Sequence, residues 1–200
     1  MMLVKKTSFI KSGTKPEHYP PAELPEIAFV GRSNAGKSSL MNSLMYRRDL
    51  VRVSNTPGRT QLLSWFSVND QMLLCDLPGY GFAKVPPALR QRWGPMVNTY
   101  LSSRENLLAL VVLADVRRGF AQEEFDLMSA CVSFDLQPVL VATKCDKLSQ
   151  AQLYRRKQQL GEALRCDPET DIVWTSATTH LGRDRLWARL SALLPSGHVA

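Results

Sequence analysis

The chain has 200 residues, with 25 Lys+Arg against 18 Asp+Glu for a formal net charge of +7, and it is 44% hydrophobic and 22% charged. This length fits one domain with extensions, and the composition excludes disorder, collagen-like repeats and low-complexity arrays. No stretch approaches the ~18 uninterrupted apolar residues of a membrane span, and the apolar run in MMLVKKTSFIKSG is too short for a signal peptide, so a cytoplasmic protein is expected. Cys75, Cys131, Cys145 and Cys166 have neither C-x-x-C spacing nor a nearby His, which points to reduced core thiols rather than zinc or disulfides. All the excess charge lies in residues 1–100, with 13 basic and 6 acidic side chains, whereas residues 101–200 balance. A cationic face of this kind attracts polyanions such as RNA or anionic lipid.

Residues 1–25 are polar and punctuated by Pro16, Pro20, Pro21 and Pro25, and they read as an extended basic arm before a domain over 26–195 and a short tail, 196–200. Short apolar runs then alternate with segments of helical periodicity, the pattern of βα units around a sheet. Strands are expected at Ile27–Val30, Leu62–Val68, Met72–Cys75, Leu107–Ala114, Val139–Ala142 and Ile172–Trp174. Helices are expected at Lys37–Met45, Pro87–Leu101, Gln122–Ser133, Gln150–Leu164 and Arg183–Leu193, with Ser149 as an N-cap. Asn69-Asp70 resembles a hairpin turn, which predicts an α/β fold: a mostly parallel six-stranded sheet with one antiparallel edge strand and helices on both faces.

The strongest local signal is Gly31-Arg32-Ser33-Asn34-Ala35-Gly36-Lys37-Ser38, which follows an apolar strand and opens a helix. In that context G-x-x-x-x-G-K-[ST] is a phosphate loop: backbone amides converge on phosphates, Lys37 reaches the β/γ-phosphates and Ser38 offers a hydroxyl to Mg²⁺. Asp76-Leu77-Pro78-Gly79 ends another strand, where Asp76 can hold Mg²⁺ through water and the Gly79 amide can sense a γ-phosphate. Thr143-Lys144-Cys145-Asp146 ends a third. Its aspartate can accept from guanine N1–H and the 2-amino group, a donor pair adenine lacks, so guanine is favoured. Lys144 can lay its stem along the base, Thr143 stands where many guanine sites have Asn, and Ser176-Ala177 can present a backbone turn to O6. The loop over 46–60 ends in Asn55-Thr-Pro-Gly-Arg-Thr60-Gln, where Thr56 and Thr60 both qualify to complete the Mg²⁺ shell when a γ-phosphate is present.

Together GRSNAGKS, NTPGRTQ, DLPGYGFAKV, TKCD and TSA, in this order and spacing, resemble the EngB (YihA/YsxC) family of bacterial GTP-binding proteins, over nearly the whole chain. The resemblance implies a single Ras-like G domain, slow GTP hydrolysis, a role in assembling the large ribosomal subunit, and an association with normal cell division and septation. It favours Thr60 as the Mg²⁺-binding threonine and extends the nucleotide site to Gly58, Arg59, Thr60, Gln61, Leu62, Thr175, Ser176 and Ala177. Lys37, Thr60 and Gly79 are the residues it assigns to hydrolysis, and Thr143 in place of Asn is typical of the family.

Tyr80 occupies the position after D-x-x-G where Ras-like proteins often carry a water-orienting glutamine, so turnover far below the median enzyme rate of about 10 s⁻¹ is expected without a partner. Asn34 aligns with an asparagine that holds a monovalent ion in potassium-activated relatives, which makes K⁺ a candidate cofactor beside Mg²⁺. Arg47, Arg48, Arg52, Arg59, Lys84, Arg90 and Arg92, with Lys5, Lys6, Lys11 and Lys15, are expected to form a face for ribosomal RNA on a monomer. The run Tyr154-Arg-Arg-Lys157 reads as a solvated helix face, the four tryptophans read as core, and Asp115 reads either as a sheet-edge cap or as an RNA contact. The competing classes are a small nucleotide kinase, which would leave TKCD without a purpose, and a non-hydrolysing RNA-binding module stabilised by guanine nucleotide.

Overall fold

A computed structural model describes residues 3–51, 62–80 and 87–195, with backbone alone for 87–93. Its strands are β1 (Thr7–Gly13), β2 (Glu26–Gly31), β3 (Leu63–Val68), β4 (Met72–Asp76), β5 (Leu107–Asp115), β6 (Gln137–Thr143) and β7 (Ile172–Trp174). The helices are α1 (Lys37–Leu44), α2 (Pro87–Ser103), α3 (Gln122–Ser133), α4 (Gln150–Leu164) and α5 (Arg183–Ser191). One sheet runs in the order β1-β3-β4-β2-β5-β6-β7. The pairings β1/β3 and β3/β4 are antiparallel and the rest are parallel.

Among the described residues the sheet therefore has seven strands instead of the expected six, and two antiparallel pairings instead of one. The additional strand comes from the arm, in Thr7–Gly13, where Phe9 and Ile10 stay exposed and no continuous apolar run marks a core strand. The hairpin at Asn69-Asp70 helps hold it. Both residues adopt φ 55°, as a tight antiparallel turn requires, and Asn69 Oδ1 accepts from the Lys5 and Lys6 amides at 2.8 and 3.0 Å. A register shift between Phe9 and Lys11 leaves a bulge in β1.

β2 is buried at every position, the signature of a strand covered on both faces. Ile27 and Phe29 face α1 and α5 through Leu40, Met41, Leu44, Leu186 and Trp187. Ala28 and Val30 face the opposite way, toward α2 and α3 through Val97, Tyr100, Leu101, Leu127 and Cys131. Ala142, Ile172 and Trp174 pack against Leu160 of α4. Trp65, Trp174 and Trp187 are core residues as expected. Ser149 caps α4 reciprocally, its Oγ accepting from the Gln152 amide while Gln152 Oε1 accepts from the Ser149 amide.

A buried charge lies at the start of β2. Glu26 is 0% exposed, and its carboxylate accepts from Trp65 Nε1 at 2.9 Å, from the Tyr100 hydroxyl, and from Arg104 Nε and Nη2 at 2.9 and 2.6 Å. Arg104 Nη1 also donates to the Pro20 carbonyl at 2.8 Å. Removing one member of a buried ion pair leaves the other charge unpaired, so Arg104→Ala is expected to cost about 3–5 kcal/mol, measured by urea unfolding of the nucleotide-free chain.

Candidate functional site

Parallel strands aligned side by side bring their carboxyl ends to one edge, and the loops singled out above leave from there. β2 runs into Gly31–Gly36, β4 into Leu77–Tyr80, β6 into Thr143–Asp146 and β7 into Thr175–Ala177. Gly31 is required by space, since a Cβ there would lie 2.9 Å from the Leu113 carbonyl oxygen. Gly36 is required by conformation, with φ +91° just before α1.

The loop is tied to its neighbours on two sides. The Ser33 amide donates to the Tyr80 carbonyl at 2.9 Å, and the Leu77 amide to the Phe29 carbonyl at 3.0 Å, so Asp76–Tyr80 runs beside the phosphate loop. From the other side, Thr143 Oγ1 donates to the Ala35 carbonyl at 2.5 Å and Lys144 Nζ to the Asn34 carbonyl at 2.5 Å. Thr143 thus supplies by its hydroxyl a tie to the loop backbone. Asn34 itself is exposed, with φ 65°. Arg32 points away, its Nη1 3.7 Å from Glu123 of α3, so only its backbone belongs to the loop.

Lys37 donates to Asp76 Oδ1, and both side chains are buried. The Asp76 carboxylate and the Ser38 hydroxyl, which adjoins Lys37 on the first turn of α1, are hard oxygen donors of the kind Mg²⁺ takes when it shares a site with phosphates. The donor set therefore fits a magnesium–nucleotide. Thr56, Gly58, Arg59, Thr60 and Gln61 lie outside the described residues, and Leu62 is exposed.

At the base end, Asp146 Oδ1 accepts from Ser176 Oγ at 2.7 Å, and Oδ2 lies 3.2 Å from Lys147 Nζ. The Ser176 hydrogen bond, followed by Lys147, holds the Asp146 carboxyl below its ordinary range. Thr175 and Ser176 are buried, and the Cys145 amide donates to the Thr175 carbonyl at 3.0 Å. The Cys145 thiol lies in the core, where burial pushes it up to about 11, so this residue reaches the site through its backbone alone.

Two residues have side-chain partners that sequence reading did not supply, although the strand-end cap expected of Asp115 as one alternative is present, its Oδ1 accepting from the Arg117 amide. Tyr80 is buried, and its hydroxyl donates to Glu124 Oε1 at 2.5 Å while Glu124 Oε2 accepts from the Ala121 amide at 2.7 Å. Burial and that carboxylate raise the phenol far above its usual range, so it stays protonated and ties the Asp76 loop to α3. Asp115 ends β5 and holds Arg117 and Lys144 together, with Nη2 and Nζ at 2.6 and 3.1 Å from Oδ2. The run 154–157 is a correction to the solvated-face reading. Tyr154 and Arg155 are exposed, but Arg156 Nε donates to the Val116 carbonyl at 2.7 Å and Lys157 pairs with Glu169 at 2.8 Å, over the Trp174 ring.

A sheet with these loops along one edge is that of a phosphate-loop GTPase of the Ras-like class. The family model for the 50S ribosome-binding GTPase matches residues 26–144. A probable GTP-binding protein EngB of Citrifermentans bemidjiense is 50% identical over 96% of this chain and 90% of its own length, and that of Geobacter sulfurreducens is 47% identical over 99% and 96%. The chain belongs to the EngB family of GTP-binding proteins. A crystal structure of a probable EngB GTP-binding protein shares the fold at a TM-score of 0.70 with 21% identity, over 84% of this chain and 97% of that one.

The carboxylate form of Asp146 is the one able to accept from a purine N–H, and the lowered pKa keeps that form populated as pH falls. Ser176→Ala removes the largest cause of the lowering, so the acid-side loss of GDP affinity is expected to move to higher pH, as read by calorimetry across a pH series.

Proposed function

We propose that this chain is a guanine-nucleotide switch that slowly hydrolyses GTP to GDP and phosphate and acts in large ribosomal subunit assembly, with normal cell division and septation depending on that role. The observation that carries the reading is the junction of two loops: the phosphate loop is bonded through Ala35 and Asn34 to Thr143 and Lys144, beside Asp146. Phosphate recognition and base recognition are thereby set at a fixed separation. In this reading the protein is a cytoplasmic monomer, with residues 26–195 as its G domain, 1–25 as a basic arm and 196–200 as a tail.

Gly31–Ser38 cradle the phosphates through backbone amides, and Lys37 leaves Asp76 to meet the β/γ-phosphates. Ser38, Thr60 and Asp76, the last through water, hold the Mg²⁺ that neutralises phosphate charge. Gly79 reports the γ-phosphate through its amide, next to Leu77 and Pro78, while Gly58, Arg59, Gln61 and Leu62 belong to the segment that follows nucleotide state. Thr143, Lys144, Cys145, Asp146, Thr175, Ser176 and Ala177 frame the guanine. Tyr80 is engaged with Glu124 and is no substitute for a water-orienting glutamine, which supports slow unaided turnover. Asn34, exposed on the loop, holds K⁺ against the phosphates.

Asp146→Asn replaces an acceptor by a donor opposite the guanine N1–H and amino group. GDP affinity is expected to fall at least ~100-fold, while xanthosine diphosphate, with a carbonyl at C2, gains. Calorimetric titration with GDP, ADP and xanthosine diphosphate decides, and ADP bound by the wild type as tightly as GDP would refute the base-site reading.

Lys11 lies in β1 and Lys5 two residues before that strand begins, and Arg47 Nε donates to Thr7 Oγ1 of the same strand at 3.0 Å, which supports a cationic face for ribosomal RNA. Sedimentation with large-subunit particles should show binding that is stronger with a GTP analogue than with GDP and that weakens steeply with salt. In the same samples turnover should start well below about 10 s⁻¹, rise on adding particles and be faster in KCl than in NaCl. Binding indifferent to nucleotide and salt would remove the ribosomal role, and equal rates in the two salts would remove K⁺.

A further inference from the structure

Asp115 is a buried carboxylate at the loop edge that the proposed mechanism leaves unused. It sits at the carboxyl end of β5, between the phosphate-loop strand and the base-loop strand, and is 6% exposed. Its two oxygens do different things. Oδ1 accepts from the Arg117 amide at 3.0 Å, an Asx-type turn that closes the strand, together with Arg117 Nε at 2.9 Å. The turn makes no use of Oδ2, which faces two cations, Arg117 Nη2 at 2.6 Å and Lys144 Nζ at 3.1 Å.

Lys144 is the more constrained of the two. Its backbone is left-handed, with φ 60°, and its ammonium donates to the Asn34 carbonyl at 2.5 Å. Its stem crosses Gly36 so closely that a Cβ there would lie 3.4 Å from Lys144 Cε. One ammonium thus joins a β5 carboxylate to the phosphate-loop backbone while its methylenes span the gap between them. Burial opposes ionisation of Asp115, yet the hydrogen bonds from Arg117 and Lys144 prevail and lower its pKa, so it stays charged.

We propose that Asp115 is a positioning residue for guanine nucleotide, acting through Lys144: it fixes the ammonium so that the lysine stem walls the base while the head holds the Asn34 peptide in the orientation that the phosphate loop needs. This rests on the guanine-site reading above. A long flexible lysine ordered in the free protein has already lost its rotamer freedom, so less is lost on binding. Arg117, half exposed and directed at the same oxygen, supplies a second positive neighbour that keeps the carboxylate charged.

The test is a double-mutant cycle on GDP affinity by calorimetry, with thermal unfolding of each nucleotide-free variant recorded beside it. Asp115→Asn retains an oxygen for the turn but loses the charge at Oδ2, and is expected to weaken GDP roughly tenfold, within the range for side chains sharing one network. In a Lys144→Ala background the same substitution should have no further effect on affinity. Asp115→Glu, which restores the charge on a longer stem, should recover part of the loss. A purely structural role predicts the opposite: equal losses in both backgrounds, in proportion to the fall in unfolding temperature. That result, or unchanged affinity in Asp115→Asn, overturns the proposal. Should Asp115→Asn fail to fold, Asp115→Glu is taken through the same cycle, and equal losses in the two backgrounds, or none in either, overturn it there too. A wild-type chain with no preference for GDP overturns the guanine-site reading and this proposal together, which separates that failure from failure of the coupling alone.

Discussion

A fully buried carboxylate is costly unless each of its acceptor positions is used, and Glu26 meets that condition with donors from three other parts of the chain. Trp65 comes from β3, Tyr100 from α2 and Arg104 from the turn after α2, and Arg104 in addition reaches the Pro20 carbonyl in the arm. Because Glu26 begins the strand that delivers the phosphate loop, these bonds set the register of β2 against everything around it. A shift of one residue would expose an unpaired charge to the core and turn Ile27 and Phe29 to the wrong face. The position of the loop at the far end of β2 therefore follows from a polar constraint at its near end, with apolar packing filling the length between them.

The loop edge uses a different economy. Its contacts are bonds to loop carbonyls from a neighbouring amide, a hydroxyl and an ammonium: Ser33 to Tyr80, Thr143 to Ala35, Lys144 to Asn34. Each joins loops from separate strands, so the site is a property of the parallel sheet and of no single segment. Lys37 and Asp76, far apart in the chain, meet only because β2 and β4 are neighbours, with Phe29 opposite Asp76.

Much of this was readable in advance because the strands bury both faces, which turns them into continuous apolar runs, and because the phosphate loop carries its own spacing. Asn69-Asp70 was legible from turn chemistry, and Ser149 from capping. Thr7–Gly13 was not, since a half-exposed edge strand carries a weak pattern and its pairing with β3 depends on the distant hairpin. Tyr80 shows another limit. Its position told what it could not do for a water molecule, but the tie to Glu124 required knowing that α3 returns over the Asp76 loop. Asp115 stayed ambiguous for the same reason, its decisive partner Lys144 lying just past the end of the next strand in the sheet. The basic run at 154–157 misled because sequence does not reveal which cations find carbonyls beneath them.

The bulge in β1 has a consequence for how copies of this chain coexist. An outermost strand offers a ladder of open amides and carbonyls, and a flat one bearing exposed Phe9 and Ile10 would invite sheet-to-sheet stacking between molecules. The irregularity between Phe9 and Lys11 breaks the ladder where the apolar side chains are, and Lys5 and Lys11 bring mutual repulsion to any approaching twin, Lys6 being paired with Asp70. The segment that completes the fold thereby also discourages edge-to-edge pairing.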